Sequence, residues 1–158
     1  GDSMAMVIPV GLFLGRISNF INAELWGHPT TQPWGVLFPG SGGICPPDWA
    51  YECARHPTQL YEAGMEGLLL GLIMVWLVTR RDALRRPWFL TGVFLAVYGL
   101  ARMIVEIWRM PDDQFLAVDP AGYVIRLGDL GLTMGQTLSL PMVVVGVVLA
   151  VMAWRRPA

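Results

Sequence analysis

Four apolar stretches constrain the fold of this chain more than any other feature, because three of them are long enough to cross a lipid bilayer. A helix rises ~1.5 Å per residue against a hydrocarbon core of ~30 Å, so a span needs roughly 17 to 25 residues. The first stretch reaches that length only if its helix continues to about Leu25. We therefore predict an all-α integral membrane protein, a bundle of about four helices in one domain over 1–158. The predicted spans are 4–25, 61–78, 87–108 and 138–154.

The composition argues against several other classes of protein. The chain is 54% hydrophobic and 15% charged, whereas a soluble domain carries about a quarter charged residues. A formal net charge of -1 provides no basic field for nucleic acid. All 11 basic residues are arginines, so lysine Schiff-base chemistry is excluded within this chain.

Arginines orient the predicted spans. Six of the 11 lie at two ends that alternate correctly for one side of a membrane, and basic residues mark the cytoplasmic side. The loops 26–58 and 109–137 are then predicted to be periplasmic. The six arginines are Arg80, Arg81, Arg85, Arg86, Arg155 and Arg156.

The third span carries polar side chains on one face. Tyr98, Arg102, Glu106 and Arg109 follow at i, i+4, i+8 and i+11, which is a continuous stripe on a helix. An ionisable group at membrane depth costs ~2.5 to 3.5 kcal/mol on insertion scales, so its presence is by default a functional-site hypothesis. The alternative is a structural ion pair between Arg102 and Glu106 that joins two helices.

A second polar cluster lies at the outer end of the first span, in the segment GRISNFINAELWG at 15–27. A helix places Arg16 and Asn19 side by side and carries Asn22 round the edge, with Glu24 beyond it. A helix facing only lipid would not tolerate this. The alternative is a helix end whose amides cap a turn.

A third cluster is RHPTQLYEAGMEG at 55–67. Pro57 and Thr58 suit a helix start, and Gln59, Glu62 and Glu66 then share one face. The two glutamates repel each other unless a cation lies between them. We predict that Arg16 and Arg102 supply it, because both belong to the same outer membrane depth. His56, which precedes a proline, is interpreted first as a loop or capping residue.

Glycines and cysteines give weaker signals. Gly11/Gly15 and Gly67/Gly71 form G-x-x-x-G pairs, which favour close helix packing in lipid. The Gly-rich segment 128–142 is interpreted as a turn, because its spacing matches no phosphate loop. Cys45 and Cys53 share one outer loop and favour a disulfide over a catalytic thiol or zinc site. No serine-hydrolase, zincin, nucleotide-phosphate or metal motif is present, so we expect no metal and no cofactor.

Arginines at membrane level indicate a phospholipid headgroup as the ligand. A guanidinium presents planar donors that match phosphate and keeps its charge in a low dielectric. If a nucleophile attacks the glyceryl carbon next to the phosphate, negative charge builds on the phosphate, where arginine stabilises it. Such a reaction needs neither a metal nor a nucleophile from the protein.

Four spaced motifs resemble the bacterial phosphatidylglycerol:prolipoprotein diacylglyceryl transferase family. They are GRISNFINAELWG, HPTQLYE, YGLARMIVEIWRMPD and LTMGQTLSLPM, in this order. The resemblance implies a seven-span enzyme of the bacterial inner membrane, with its active site toward the periplasmic leaflet, of which this chain would be the last four spans. It moves diacylglyceryl from phosphatidylglycerol to the lipobox cysteine thiol of a preprolipoprotein and releases glycerol 1-phosphate.

The resemblance also assigns residues. Arg16 and Arg102 match the two essential arginines of the family and Asn19 its important asparagine, while the attacking sulfur belongs to the substrate. The candidate catalytic residues are Arg16, Arg102, Glu106 and Tyr98. The candidate substrate-binding residues are Arg16, Asn19, Asn22, Glu24, Gly27, His56, Gln59, Tyr61, Arg102 and Arg109.

The start of the chain and one missing motif bear on whether the chain is a complete enzyme. The chain begins at Gly1 without a methionine, and a histidine-glycine-glycine motif that the family carries upstream has no counterpart. We therefore expect a segment of a longer protein, which is inactive alone if that motif is required. The rival functions are a transporter or channel with an Arg- and Glu-lined pathway, and a membrane scaffold whose polar residues only pack helices.

Overall fold

The structure is a computed structural model that describes residues 1–38, 53–109, 119 and 122–157. Within these residues lie four long helices, a short 3-10 helix at Ala83–Arg85 and one β-hairpin. Three of the long helices are long and apolar enough to cross a membrane, and the fourth, Phe89–Val105, is a shorter apolar helix. The prediction of an all-α membrane protein is confirmed. The helices are α1 (Asp2–Ile21), α2 (Thr58–Arg81), α3 (Phe89–Val105) and α4 (Met134–Arg155); the strands are β1 (Tyr123–Leu127) and β2 (Leu130–Thr133).

Helix α1 ends at Ile21, so the expected continuation to about Leu25 is wrong. The backbone of Ala23 and of Leu25 adopts positive φ angles of 54° and 57°, which no right-handed helix contains. The chain turns there, and the amide of Glu24 donates to the carbonyl of Asn19 at 2.9 Å. The polar segment after Ile21 is therefore a folded turn.

Helix α2 begins at Thr58, directly after Pro57, as the sequence predicts. Its middle part, Ala63–Leu69, is a π-helix, and the α-helix resumes at Leu70. A π-helical turn holds more residues than an α-helical one and is frequent at functional sites. Glu66 lies inside this π-helical part and is fully buried.

Helices α3 and α4 approach each other most closely at glycines. A Cβ atom on Gly92 would lie 2.5 Å from the backbone nitrogen of Ala150 and 2.8 Å from the carbonyl oxygen of Gly146. Only a residue without a side chain allows two backbones to come this near. This crossing was not predicted.

The two predicted G-x-x-x-G pairs behave differently. A Cβ on Gly67 would lie 2.6 Å from the Cβ of Phe13, and one on Gly71 would lie 3.5 Å from the Cβ of Pro9, so this pair packs α2 against α1. At Gly11 and Gly15 such a Cβ meets no atom within 4 Å in the described part of the chain. The packing prediction is wrong for that pair within the described residues, because the contact face of α1 carries Pro9 and Phe13 instead.

The arginine-rich end of the bundle is held by contacts between helix ends. Both carboxylate oxygens of Asp2 accept hydrogen bonds from the start of α3, from the amides of Trp88 and Thr91 at 2.8 Å. Arg86 donates to the carbonyl of Trp154 near the end of α4. The start of α1, the start of α3 and the end of α4 therefore meet at one end, which leaves the other end for the polar clusters.

A short hairpin precedes α4 at the opposite end, where the sequence analysis placed only a loop. Strands β1 and β2 pair antiparallel, with Leu127 opposite Leu130. Helix α4 then begins at Met134 instead of near Leu138 because Thr133 and Gln136 form a capping box, in which each side chain bonds the other's backbone amide at 3.3 Å.

Candidate functional site

One carboxylate holds two arginines from two other helices. Glu62 of α2 places its Oε2 2.6 Å from the Nε of Arg16 on α1, and its Oε1 2.8 Å from a terminal nitrogen of Arg102 on α3. The Glu62 side chain is 2% exposed, whereas the two arginines are 19% and 15% exposed. The predicted meeting of Arg16 and Arg102 around the α2 glutamates is confirmed.

Glu106 extends this cluster through Arg102. Its Oε2 lies 3.3 Å from the second terminal nitrogen of Arg102, one turn earlier on the same helix. Arg102 therefore contacts two carboxylates at once, Glu62 through one terminal nitrogen and Glu106 through the other. Paired charges of this kind offset each other's desolvation in a low-dielectric site.

Glu66 lies beside the cluster, with Arg16 as a more distant ion-pair partner. Its Oε2 is 3.9 Å from a terminal nitrogen of Arg16, which is beyond hydrogen-bond distance. The buried oxygens of Glu66 have no hydrogen-bond partner among the described residues. Arg16 contacts Glu62 through Nε, and one of its terminal nitrogens forms this longer ion pair with Glu66.

Tyr98 lies one turn before Arg102 on α3 and is partly buried. Its ring stacks on that of Phe94, with centroids 5.7 Å apart, and its hydroxyl interacts electrostatically with Glu66 and Arg102. Three of the predicted stripe residues, Tyr98, Arg102 and Glu106, thus border one cluster.

The fourth predicted stripe residue, Arg109, departs from the helix. Helix α3 ends at Val105, short of the predicted end at 108, and Arg109 forms an isolated β-bridge with Gly27. It lines a cleft of about 180 Å³ together with Glu106, Gln136 and other residues of the hairpin end. Arg109 therefore lies on a loop and shares this cleft with Glu106.

The turn after α1 is fastened to the start of α2. The side-chain amide of Gln59 donates to the carbonyl of Glu24, and the hydroxyl of Thr58 donates to the carbonyl of Leu25 at 3.0 Å. Both α2 side chains are fully buried. Gln59 acts here on the backbone of the turn, while the side chains of Asn22 and Glu24 are exposed and that of Asn19 is partly buried.

Gly27 is a point of close backbone approach. A Cβ there would collide with the carbonyl oxygen of Trp108 and would lie 2.9 Å from the Cβ of His56. Its amide donates to the His56 carbonyl at 3.0 Å, and the next amide, of His28, donates to the Trp108 carbonyl at 2.9 Å. Gly27 thus lets three loop segments join at the end of the bundle.

His56 and Tyr61 line a separate aromatic cleft of about 440 Å³ on another face of α2. The Nδ1 of His56 lies 3.0 Å from the Tyr61 hydroxyl, which also accepts a hydrogen bond from the indole of Trp34 at 2.8 Å. The ring of Trp108 packs edge-on against Tyr61, with centroids 5.7 Å apart. Burial lowers the pKa of His56, which favours the neutral form of its ring.

A second histidine lies on the same loops. The pKa of His28 is lowered by burial first, and then by the neighbouring His56 and Arg55. Arg55 itself is fully buried, donates to the carbonyl of Gly27 at 3.2 Å and lies 5.9 Å from the centre of the Trp26 ring. The charge of Arg55 therefore acts on His28 and favours its neutral form.

Glu62 was not among the predicted site residues, although it lies at the centre of the cluster. The available signal was its place on one α2 face with Gln59 and Glu66, opposite two arginines that need a counter-ion. Gly135, which faces the carboxylate of Glu106, was also missed, because only a three-dimensional approach reveals it.

The structure was also searched for metal-binding clusters and for the predicted disulfide. In the described ranges, no three His, Cys, Asp or Glu residues come together as a metal site. Cys53 is disulfide-bonded. The sequence contains one other cysteine, Cys45, and this half of the predicted pair lies outside the described residues.

Comparisons with known proteins agree on one family. The family described as prolipoprotein diacylglyceryl transferase matches residues 1–152. A phosphatidylglycerol–prolipoprotein diacylglyceryl transferase of Ruegeria pomeroyi is 52% identical over 158 residues, 99% of this chain and 54% of the relative. Those of Cereibacter sphaeroides and Rhizobium meliloti are 56% and 47% identical, each over 92% of this chain and over 50% and 46% of the relative. The chain therefore spans about half the length of the curated relatives it matches.

Proposed function

Since the chain belongs to the prolipoprotein diacylglyceryl transferase family, we propose that it is the C-terminal, four-span part of an enzyme that lipidates preprolipoproteins. The enzyme transfers diacylglyceryl from phosphatidylglycerol to the thiol of the lipobox cysteine and releases glycerol 1-phosphate, the first step of lipoprotein maturation. Membership of a transferase family favours this function over a transporter or channel.

The observation that carries the proposal is the meeting of Arg16 and Arg102 at Glu62. Each oxygen of that carboxylate is taken by one guanidinium, at 2.6 and 2.8 Å. A phosphodiester also presents two anionic oxygens on one atom, and guanidinium donors match them. We assign the lipid phosphate to this arginine pair, which Glu62 holds at a fixed separation.

The chemical step follows from the charge of this site. The cysteine thiolate attacks the glyceryl carbon, so that a sulfur–carbon bond forms and the carbon–oxygen bond to phosphate breaks. The electron pair stays on the phosphate oxygen, and the diester monoanion becomes a monoester dianion. Two preorganised guanidiniums stabilise this added charge more in the transition state than in the bound lipid. The proton of the thiol is assigned to the upstream histidine motif of the family.

We assign roles to the other candidate residues from their positions relative to Arg16 and Arg102. Glu106 and Asn19 orient the guanidiniums, and Tyr98 lies near the glyceryl carbon. The substrate headgroup and the peptide contact the outer loops. The residues proposed for these contacts are Asn22, Glu24, Gly27, His56, Gln59, Tyr61 and Arg109.

We further propose that the chain lies in the bacterial inner membrane with this site toward the periplasmic leaflet. Support comes from the position of the arginine-rich loop and C-terminus, which meet the starts of α1 and α3 at the end of the bundle away from Arg16 and Arg102. Basic residues accumulate on the cytoplasmic side. Phosphatidylglycerol would then enter from the surrounding lipid.

A reconstitution experiment tests the proposal. The protein expressed from its complete gene is placed in phosphatidylglycerol vesicles with a lipobox peptide, and the mass of the peptide is followed. Wild type adds one diacylglyceryl group, and Arg102→Gln lowers the rate roughly 100-fold or more, as expected for losing a donor to developing charge. Arg126→Gln, which changes an exposed arginine of β1, retains the rate. An unmodified peptide in the presence of wild type overturns the proposal.

A further inference from the structure

We propose that Gly135 is a positioning residue for the transfer reaction: its missing side chain makes room for the carboxylate of Glu106, which in turn orients Arg102. Gly135 belongs to the segment at 128–142 that the sequence analysis interpreted as a turn. The inference rests on the proposed function, because Arg102 is part of the proposed phosphate site.

The geometry at Gly135 leaves no room for a methyl group. A Cβ built there would lie 2.7 Å from both Cδ and Oε2 of Glu106 and 2.9 Å from its Oε1. Real Cβ atoms essentially never approach other atoms within 3.0 Å. The same Oε2 lies 3.3 Å from a terminal nitrogen of Arg102. A side chain at Gly135 would therefore displace the atom that Arg102 contacts.

A side chain introduced at Gly135 would displace the carboxylate of Glu106 and not the backbone. Glu106 ends in a flexible chain, whereas Gly92 and Gly27 face backbone atoms, Ala150 nitrogen at 2.5 Å and the Trp108 carbonyl. A substitution at Gly92 must push two helices apart, which destabilises the fold. A substitution at Gly135 moves one carboxylate and leaves the helix contact in place.

Two further contacts fix Gly135 relative to Glu106. The side-chain amide of Gln136 donates to the carbonyl of Met103 at 3.3 Å, which ties the first turn of α4 to α3. The capping box of Thr133 and Gln136 sets where that turn begins. The Glu106 carboxylate thus lies against the first turn of α4, where the helix dipole favours an anion.

Displacing Glu106 changes the orientation of the Arg102 guanidinium and leaves its charge unchanged. Arg102 would keep its contact with Glu62 at 2.8 Å and lose the one that fixes its other terminal nitrogen. A guanidinium held at one point rotates, and bidentate phosphate binding depends on the direction of its donors. Turnover is therefore expected to fall more than folding stability.

The test compares glycine variants in the protein expressed from its complete gene, reconstituted with phosphatidylglycerol and a lipobox peptide. We expect Gly135→Ala to lower kcat about 10-fold or more with an unchanged melting temperature. Gly92→Ala is expected to lower the melting temperature. Gly11→Ala, where a Cβ meets no described atom within 4 Å, serves as the matched control and is expected to leave both unchanged.

Shortening the displaced side chain provides a rescue that a merely structural glycine would not show. Glu106→Asp alone is expected to slow transfer, since the carboxylate falls short of Arg102. Combined with Gly135→Ala, it is expected to restore at least part of the lost kcat, because an aspartate is one methylene shorter and leaves space for the methyl group.

Three results overturn the inference: wild-type kcat in Gly135→Ala, a melting temperature lowered as far as in Gly92→Ala, or no rescue in the double variant. A structure of the Gly135→Ala variant gives a readout independent of activity, and an unchanged distance between Glu106 and Arg102 also overturns it. If wild type transfers no diacylglyceryl, the proposed function fails, and that distance still decides whether Gly135 positions Glu106.

Discussion

Arg16 and Glu62 form the shortest ion pair among the described residues, with 2.6 Å between Nε and Oε2. The pair joins α1 to α2, and the other oxygen of Glu62 extends the contact to α3. A single carboxylate thus decides how far apart two arginines lie. That distance is what an anionic ligand spanning both arginines must match, so the glutamate is as important to the site as the arginines themselves.

Replacing this carboxylate by an amide is the first prediction. Glu62→Gln removes the shared negative charge and leaves two partly buried guanidiniums facing an amide, which donates as well as accepts. Breaking a buried pair in this way costs about 3 to 5 kcal/mol. We expect a lower melting temperature in detergent and, from the disordered arginines, a loss of diacylglyceryl transfer of roughly 100-fold.

The control for Glu62→Gln is Arg126→Gln. Arg126 pairs with Asp119 at 2.8 Å, and its side chain is 54% exposed. Exposed pairs contribute only about 0 to 1 kcal/mol. Equal losses of stability in the two variants would contradict the central role assigned to Glu62.

A second prediction concerns the turn between α1 and the loops. Thr58→Val keeps the shape of a buried side chain but removes the hydroxyl that donates to the carbonyl of Leu25. A hydrogen bond of this kind contributes about 0.5 to 1.5 kcal/mol to stability. We expect a lower melting temperature and a raised KM for the lipobox peptide, because the turn that carries Asn22 and Glu24 is released.

Thr79→Val tests whether the effect belongs to that contact. The Thr79 hydroxyl donates at 2.8 Å to the carbonyl of Val75 within its own helix, at an exposed position. Its loss leaves the link between α1 and α2 intact. Equal effects of the two substitutions on KM would show that the hydrogen bond from Thr58 to the Leu25 carbonyl does not hold the turn in place.

Much of the architecture could be predicted from the sequence because membrane burial restricts it strongly. Arg16, Arg102 and Glu62 carry charges at helix positions in lipid, so each needs a partner, and α-helical spacing gives the face on which it lies. The end of α1 could not be predicted in this way. Ala23 and Leu25 adopt left-handed conformations that residues with a Cβ rarely take. Hydrogen bonds within the turn and from Gln59 and Thr58 hold them there.

Two further features depend on contacts between distant segments. The hairpin of β1 and β2 is short, and most of its side chains are exposed, so the period-two pattern that marks a half-buried strand is missing. Gly135 resembles any turn glycine in the sequence. Its place opposite Glu106 follows from how α4 packs on α3, through Gln136 and Met103.

The last prediction follows from the two loop histidines. Burial lowers the pKa of both His28 and His56, and the charge of Arg55 adds to the effect at His28. A histidine whose pKa is lower in the folded than in the unfolded state stabilises the fold above its unfolded pKa of about 6.5, and that contribution is lost as the pH falls. We expect the melting temperature to fall between pH 7.5 and pH 5 and the fall to be smaller in His28→Gln, whose side chain takes up no proton. Thermal unfolding of both proteins across this range measures the difference, and parallel curves would show that His28 does not contribute.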